Sequence, residues 1–314
     1  MAGTAPVFGA GTHYLDSSTI VTDVTDVIYQ ITPEDTPFFH LCGDTPANVA
    51  APWHQWQMRD LVTRSLNIQF EGRAYTFTSA MRLPSRQANV LQILDKDIRV
   101  SGTNQAIDHY AIPNMLADQS EVKLTELKTD IEHALLRATL NTGGTATARQ
   151  MAGLIPMAQT NLSMYTNASS ATFTENRFNA ALEQGWTNGA DLKDVFVDGR
   201  MKRMISQFTG NGLRVVAAEQ GTLINSISVY ESDYGPVNVH LSRDVPTVST
   251  GNSLARVLVY VDKTHLNKAW LRPVTVQRTA KVADSDDAIA QAELTLEWGN
   301  PNSHFVYFNT SANI

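Results

Sequence analysis

The chain has 314 residues, of which 43% are hydrophobic and 18% charged, a composition typical of globular proteins. Its 24 basic and 31 acidic residues give a net charge of −7, so the chain as a whole lacks the basic surplus of a nucleic-acid-binding protein. No apolar stretch is long enough to span a membrane, and no secretory signal is visible at the N-terminus. The single cysteine, Cys42, excludes a disulfide within the chain and is interpreted as a small buried apolar residue.

Charge is distributed unevenly over the first 100 residues. Residues 1 to 58 contain no lysine or arginine; their carboxylates are Asp16, Asp23, Asp26, Glu34, Asp35 and Asp44. Between residues 59 and 100, seven basic residues outnumber four acidic ones. This acidic arm and basic segment could pair within one chain or between neighbouring chains. Alternatively, both are solvated surfaces, where an ion pair contributes only about 0–1 kcal/mol.

The first 50 residues have the composition of an extended arm, rich in Thr, Ser, Gly, Pro and Asp. Within the arm, apolar residues at helical spacing between Ile20 and Ile31 predict one short helix, which ends before Pro33. Phe38 and Phe39 place two large rings directly after Pro37, in a segment otherwise poor in core residues. We expect these two rings to anchor the arm in a core, either of this chain or of another.

A basic hairpin is predicted next. Apolar residues alternate from Leu66 to Phe70 and again from Tyr75 to Phe77, on both sides of a turn at Gly72. An isolated two-stranded ribbon is only marginally stable in water. The hairpin is therefore better explained if it lies on another molecule.

The longest predicted helix runs from about Asn114 to Leu140, roughly 35–40 Å. Its apolar stripe is Leu124, Leu127, Ile131, Leu135 and Ala138. Charged residues, Glu132 among them, occupy the other faces. Asp118 and Glu121 resemble a capping box, and the segment from Asn141 to Gly144 is expected to stop the helix.

The remaining residues predict an α+β fold. Residues 149 to 172 are interpreted as a loop. The expected helices are one capped by Thr174 that carries Phe178, Leu182 and Trp186, and another at 200–208. The expected strands are 90–100, 195–197, a hairpin of 227–230 with 237–241, 257–261, 269–278, 289–298 and 305–307.

Motifs of enzymes and of cofactor or metal sites are not recognisable. Gly9-Ala-Gly11 lacks the third glycine of a dinucleotide-binding loop, and phosphate-binding, nucleophile-elbow and zinc-protease motifs do not occur. Asp284 to Asp287 lacks the glycine and distal glutamate of a calcium loop and is interpreted as a solvated turn. We therefore expect no enzyme activity, cofactor or metal, although catalytic groups can also converge from distant positions.

Short segments in colinear order between residues 36 and 300 carry a family resemblance. In the first half they are Thr36-Pro37-Phe38, Trp56-Gln57, Asp60-Leu61, Arg86, Asn89-Val90, Gln92-Ile93 and Val100-Ser101-Gly102-Thr103. In the second half they are Glu126-Leu127, Asp130-Ile131-Glu132, Leu135-Leu136, 149–154, Val229-Tyr230, 232–235, Val237, Asp284-Ser285, 293–297 and Asn300. Together they resemble the major capsid (major head) proteins of tailed bacteriophages with the Hong Kong 97 fold, and more narrowly the subgroup of the phage SU-ten major head protein.

The resemblance implies an α+β Hong Kong 97-type capsid fold with four parts. Residues 1–52 would form an N-terminal arm, and residues 53–102 an extended β-hairpin loop that lies over a neighbouring subunit. Residues 103–150 and 256–314 would form a peripheral domain with a spine helix. Residues 151–255 would form an axial domain, whose tips meet around the hexamer and pentamer axes.

The implied function is structural: copies of the chain assemble as hexamers and pentamers into an icosahedral head around double-stranded DNA. Expected partners are further copies, portal, scaffold and possible cement or decoration proteins, and DNA bound without sequence specificity. The expected locations are the virion and, during assembly, the host cytoplasm. The predicted inter-subunit contact residues are Phe38, Phe39, Arg64, Glu71, Gly72 and Arg73.

Two alternative hypotheses stay open at this point. An encapsulin-like nanocompartment would use the same shell fold, but it would contain an enzyme in place of DNA. A soluble α+β hydrolase or binding domain would be a stable monomer that binds a small ligand saturably.

Overall fold

The computed structural model describes residues 34–46, 49–62, 64–74, 81–109, 112–160, 165–168, 173–208, 228–250, 253–281 and 283–309. The helix predicted at 20–31 lies outside these ranges, as does the strand predicted at 75–77. The described residues form helices and three β-sheets, which confirms the α+β class.

The helices are α1 (Pro37–Leu41), α2 (Gly102–Ala106), α3 (Met115–Arg137), α4 (Leu154–Thr160), α5 (Glu175–Thr187) and α6 (Gly199–Ser206). The first strands are β1 (Gly43–Asp44), β2 (Trp53–Met58), β3 (Ser85–Val90), β4 (Gln92–Ser101), β5 (Tyr165–Ala168) and β6 (Asp194–Val197). They are followed by β7 (Val229–Ser232), β8 (Gly235–Leu241), β9 (Thr247–Thr250), β10 (Ser253–Val261), β11 (Asn267–Arg278), β12 (Ser285–Glu297) and β13 (Phe305–Asn309).

Helix α3 is the predicted spine helix, and its 23 residues span roughly 35 Å. Its N-cap is Asn114, whose side-chain oxygen accepts hydrogen bonds from the amides of Leu116 and Ala117, both at 3.1 Å. The capping box expected at Asp118 is therefore wrong, since this residue lies in the first turn. The apolar stripe is confirmed, because Leu127, Ile131 and Leu135 are buried and Leu124 is packed against the same core.

The segment after α3 contains more secondary structure than its sequence predicts, and it packs closely against the end of α3. The amide of Gly153 donates to the carbonyl of Ala138 at 2.7 Å, just past the end of α3. A Cβ at Gly153 would lie only 2.8–2.9 Å from backbone atoms at the end of α3, so only glycine permits this approach. The loop predicted at 149–172 is wrong, because these residues include α4 and β5. Leu154 and Ile155 begin α4 and bury their side chains in the core with α3.

The largest sheet separates two hydrophobic cores. Its strands follow the order β5-β13-β10-β6-β8-β7, with β9 beside β10. On β10, Val257 and Val259 face the core that contains α3, whereas Leu258 and Tyr260 face the core that contains α5 and α6. The short strand β6 is buried at every position for the same reason. This sheet takes strands from both sides of residue 255, so the predicted peripheral and axial parts share it; the division into these domains stays a prediction.

Several further expectations are confirmed, with two corrections. The hairpin around 232–235 forms between β7 and β8, and the strands near residues 195, 257, 269, 289 and 305 are present. On α5, Phe178 and Leu182 are buried, but Trp186 in the last turn is 65% exposed. The solvated turn expected at 284–287 is wrong: Ser285 begins β12, which pairs with β4. Across this pair, the Asp287 carboxylate accepts two hydrogen bonds of 3.0 Å from Arg99.

Candidate inter-subunit surface

The extended loop consists of an antiparallel ribbon and a long connection. Strands β2 and β3 pair from Trp53 opposite Val90 to Met58 opposite Ser85. Residues 59–84, here called the tip segment, connect these strands. The predicted hairpin strand from Leu66 to Phe70 is wrong, since these residues are not in a strand. All five residues are exposed, so no packed layer favours a strand there.

The foot of the ribbon is attached to the end of β12 by two side chains of β2. His54 Nε2 lies 2.9 Å from the Glu297 carboxylate, and this contact lowers the pKa of Glu297. Trp56 donates its indole N–H to the carbonyl of Gly299 at 2.7 Å. Its ring also meets the ring of Trp298 edge to face, with 5.0 Å between centroids. These contacts set the direction in which the ribbon leaves the body of the subunit.

Asn89 on β3 provides the third attachment, and it is completely buried. Its amide nitrogen donates to the carbonyls of Leu296, at 2.8 Å, and Ala152, at 3.1 Å. Its amide oxygen accepts from the backbone N–H groups of Ala152 and Val90, both at 2.9 Å. One side chain thus joins the ribbon, β12 and the segment before α4. Asn89 belongs to the segments that carry the family resemblance, but its role could not be inferred from its residue type.

The tip segment exposes an unusual amount of apolar surface. Phe70 is 91% exposed and Leu66 is 90% exposed. Five further large apolar residues are exposed in the described part of the segment: Leu61, Val62, Ile68, Met81 and Leu83. Burying one such side chain contributes about 1.5–3 kcal/mol, and contiguous exposed apolar surface usually marks an interaction site. The tip segment therefore has the properties of a contact surface.

The same segment is basic. Arg59, Arg64 and Arg82 are exposed, and none of them forms an ion pair within the described part of the chain. The guanidinium of Arg73 contacts the side chain of Gln69. These arginines can therefore meet acidic groups of another molecule without first breaking an internal pair.

Four of the predicted contact residues lie together in the tip segment: Arg64, Glu71, Gly72 and Arg73 are all exposed. The turn predicted at Gly72 is confirmed, because the Arg73 amide donates to the Phe70 carbonyl at 3.3 Å. Gly72 has a φ of 73°, which a residue with a side chain rarely adopts. Their contact with another subunit stays a prediction.

The two predicted aromatic contacts of the arm lie against their own chain. Phe38 is completely buried and meets Phe196 edge to face, with 5.3 Å between ring centroids. Its ring therefore has no surface left for a second subunit. Phe39 is half-buried, 6.3 Å from the ring of Trp270, and the Lys268 ammonium lies 4.0 Å from its centroid. The core that anchors the arm is thus that of this chain.

Glu132 holds the arm against α3. Its two carboxylate oxygens accept hydrogen bonds from the amides of Phe38, at 3.0 Å, and Phe39, at 2.6 Å. The expectation that Glu132 lies on an exposed helix face is wrong, since the residue is completely buried. Burial raises its pKa to about 7, although the two amides and Lys128 act in the opposite direction.

This buried carboxyl group predicts a pH dependence of subunit stability. The folded-state pKa of about 7 exceeds the ordinary value of 4.5, so between these values the folded chain binds more protons than the unfolded chain. We expect Glu132 to lower the free energy of unfolding by up to about 3 kcal/mol as the pH rises through this window. Urea unfolding of the unassembled subunit at several pH values measures this slope. The E132Q variant should flatten it, whereas E121Q, at an exposed position of the same helix, should not. If E132Q had the same slope as the unmodified chain, Glu132 would not be the source of the pH dependence.

Two acidic groups in the described part of the arm, Asp35 and Asp44, lie beside basic residues outside the basic segment that follows the arm. Asp35 forms a 2.7 Å ion pair with Arg243, and Asp44 lies 3.7 Å from the Lys268 ammonium. Both partners come from later elements of the same chain. Cys42, between them in sequence, is buried as predicted, and burial raises the pKa of its thiol.

Within the described residues, no group of three His, Cys, Asp or Glu side chains is placed to hold a metal ion. None of the helices formed by the described residues is both long enough and apolar enough to cross a membrane.

The fold is that of phage capsid subunits. A chain from Gordonia phage Cozz matches with a TM-score of 0.61 at 12% identity, over 99% of this chain and 97% of its own. The capsid of a native GTA particle matches with a TM-score of 0.61 at 11% identity, over 94% and 96% of the two chains. The capsid of cyanophage P-SCSP1u matches with a TM-score of 0.62 at 10% identity, over 94% of each. At these identities the likeness shows the fold alone.

The family follows from the sequence. The profile of the SU10 major capsid protein family matches residues 7–311. The chain therefore belongs to this family, which confirms the resemblance, and it is a structural protein of the virion capsid. No curated protein matches the sequence. Family membership favours the capsid hypothesis over the nanocompartment and the hydrolase.

Proposed function

We propose that copies of this chain join head to tail into hexamers and pentamers, which close into an icosahedral head around double-stranded DNA. The exposed apolar tip segment is the observation that supports this proposal most directly, because an ordinary monomer would not leave so much apolar surface in water. The tip of one subunit would bind a different surface on its neighbour, which makes the contact heterologous. Such contacts generate rings when the rotation from one subunit to the next closes.

In this function the chain is a building block without a catalytic step. Each subunit is held by several neighbours at once, so individually modest contacts add up to a durable shell. A portal, a scaffold and cement or decoration proteins are the further partners of this proposal. The net charge of −7 suits a container whose DNA must remain free to leave, because a strongly basic lining would bind phosphates tightly.

Electron microscopy and light scattering of the purified chain test the proposal. We expect closed shells, or rings the size of hexamers and pentamers, from the chain alone or coexpressed with portal and scaffold. A chain that stays monomeric under both conditions would refute assembly. Shells filled with enzyme in infected cells, in place of DNA, would support the nanocompartment instead.

Charge reversal at the tip should impair this assembly. In R64E/R73E we expect a lower yield of shells and a changed dependence of yield on salt, because two exposed arginines no longer attract acidic groups of the neighbour. Each pair contributes only about 0–1 kcal/mol, but every subunit of the shell repeats the loss. Light scattering across a salt series measures both effects.

The matched control is R200E/R278E, which makes the same charge change at exposed positions outside the tip segment. Unchanged yield and salt dependence in R64E/R73E would remove these two arginines from the interface.

A further inference from the structure

We propose that an apolar pocket at the foot of the ribbon receives the tip segment of a neighbouring copy, and that Phe70 is the side chain that enters it. This inference rests on the proposed head-to-tail assembly and adds to it the surface that accepts the tip.

The pocket has a volume of about 490 Å³, within the range of cavities that bind small organic molecules. Its walls come from β3, α4 and the segments that follow α3 and β12; they include Ala88, Leu140, Met157 and Trp298. Among the described residues that line it, none is charged. An uncharged, mainly apolar pocket favours an apolar occupant, since a charged side chain would lose its hydration there without a partner.

The tip segment supplies side chains of that kind. Among the residues of the tip segment that the structure describes, Phe70 is the most exposed large apolar one, and it lies two positions before Gly72 at the turn. A large ring at a turn can project into a cavity, and buried aromatic rings contribute strongly to interfaces. The surfaces thus match in chemistry: an exposed ring on one part of the chain and an apolar cavity on another.

The beginning of a subunit's own tip segment borders a different cleft. Leu61, Val62 and Arg64, at its beginning, border a second cleft of about 860 Å³, whose opposite wall includes Trp186 of α5. The foot pocket lies on different elements, so we assign it to the tip of another copy. Each subunit then donates one tip and accepts one tip, a heterologous contact that forms a ring when the rotation between subunits closes.

Chemical crosslinking of assembled shells tests this contact. The F70C/A88C variant places one thiol on the tip and one in the pocket, and a short bis-maleimide would join them. We expect at least about tenfold more covalent multimers than in F70C or A88C alone, because assembly holds the two thiols at a high effective concentration. The native Cys42 is buried and is present in every variant, so the single variants also control for it.

Two further variants make the result decisive. F70C/T187C places the second thiol at the other cleft, and crosslinking there in place of the foot pocket would overturn the proposal. Mixing F70C chains with A88C chains before assembly shows whether the crosslink joins different subunits. If loss of the Phe70 ring prevents assembly, I68C/A88C carries the same test with that ring intact.

The failures of the two proposals are distinguishable. Shells that form normally but give no more crosslinking in the paired variants than in the single ones would overturn the pocket and leave the assembly proposal intact. If the unmodified chain forms neither shells nor rings, even with portal and scaffold, both proposals fail.

Discussion

Replacing Ile68 and Phe70 together by aspartate is expected to abolish shell formation and to leave the subunit folded. Both side chains are at least 80% exposed in the subunit, so their replacement should change its stability by only about 0.5 kcal/mol. In a shell, the same positions would bring two charges into an apolar contact, and each lost apolar side chain removes about 1.5–3 kcal/mol of burial. Since every subunit repeats the loss, the effect on assembly should be close to complete.

Sedimentation and electron microscopy of I68D/F70D measure assembly, and urea unfolding measures the stability of the subunit. The matched control is Q69E, which adds a negative charge between the same two positions without removing an apolar side chain. We expect Q69E to assemble nearly as well as the unmodified chain. Normal shells from I68D/F70D would show that the apolar tip is not a subunit contact.

The N89A variant is expected to lower the stability of the subunit more than any other single substitution at the foot of the ribbon. Alanine removes all four hydrogen bonds of the buried Asn89 side chain and leaves the carbonyls of Ala152 and Leu296 without its donor. With about 1 kcal/mol for each of the four bonds as a guide, we expect a loss of about 4 kcal/mol in the free energy of unfolding. Assembly should also suffer, because the ribbon would no longer be held in one direction.

Urea unfolding of the unassembled N89A subunit checks this value. Q87A is a suitable control, since Gln87 lies two residues away on the same strand and is only partly buried. It should change stability by no more than about 0.5 kcal/mol. The N89D variant should be at least as unstable as N89A, because a carboxylate oxygen would face two carbonyls. A loss below about 1 kcal/mol in N89A would mean that water or other groups replace these bonds.

The ribbon shows where alternation in sequence was an incomplete guide. The period of two from Leu66 to Phe70 predicted a strand, but strand pairing occurs at 53–58 and 85–90 instead. Those residues are less regular in sequence, yet they contact the body through His54, Trp56 and Asn89. Alternation favours a strand when one face is buried, and within one subunit residues 66–70 have no buried face.

The arm gives a second example. Its aromatic pair was correctly predicted to enter a core, but the sequence left open whose core it was. The answer depends on Glu132, which is 94 residues from Phe38 and was predicted to be exposed. A glutamate on a helix has the same local pattern whether it faces water or two backbone amides.

The sequence by itself determined most of the local elements, the family and the general kind of function. Helix α3, most strands of the two larger sheets and the turn at Gly72 follow from apolar periodicity and from glycine, both of which act over a few residues. Only the tertiary structure decided that Phe38 is covered within its own chain, that Asn89 joins three segments and that the tip remains uncovered. These properties depend on contacts between residues far apart in sequence, whose energies no local pattern contains.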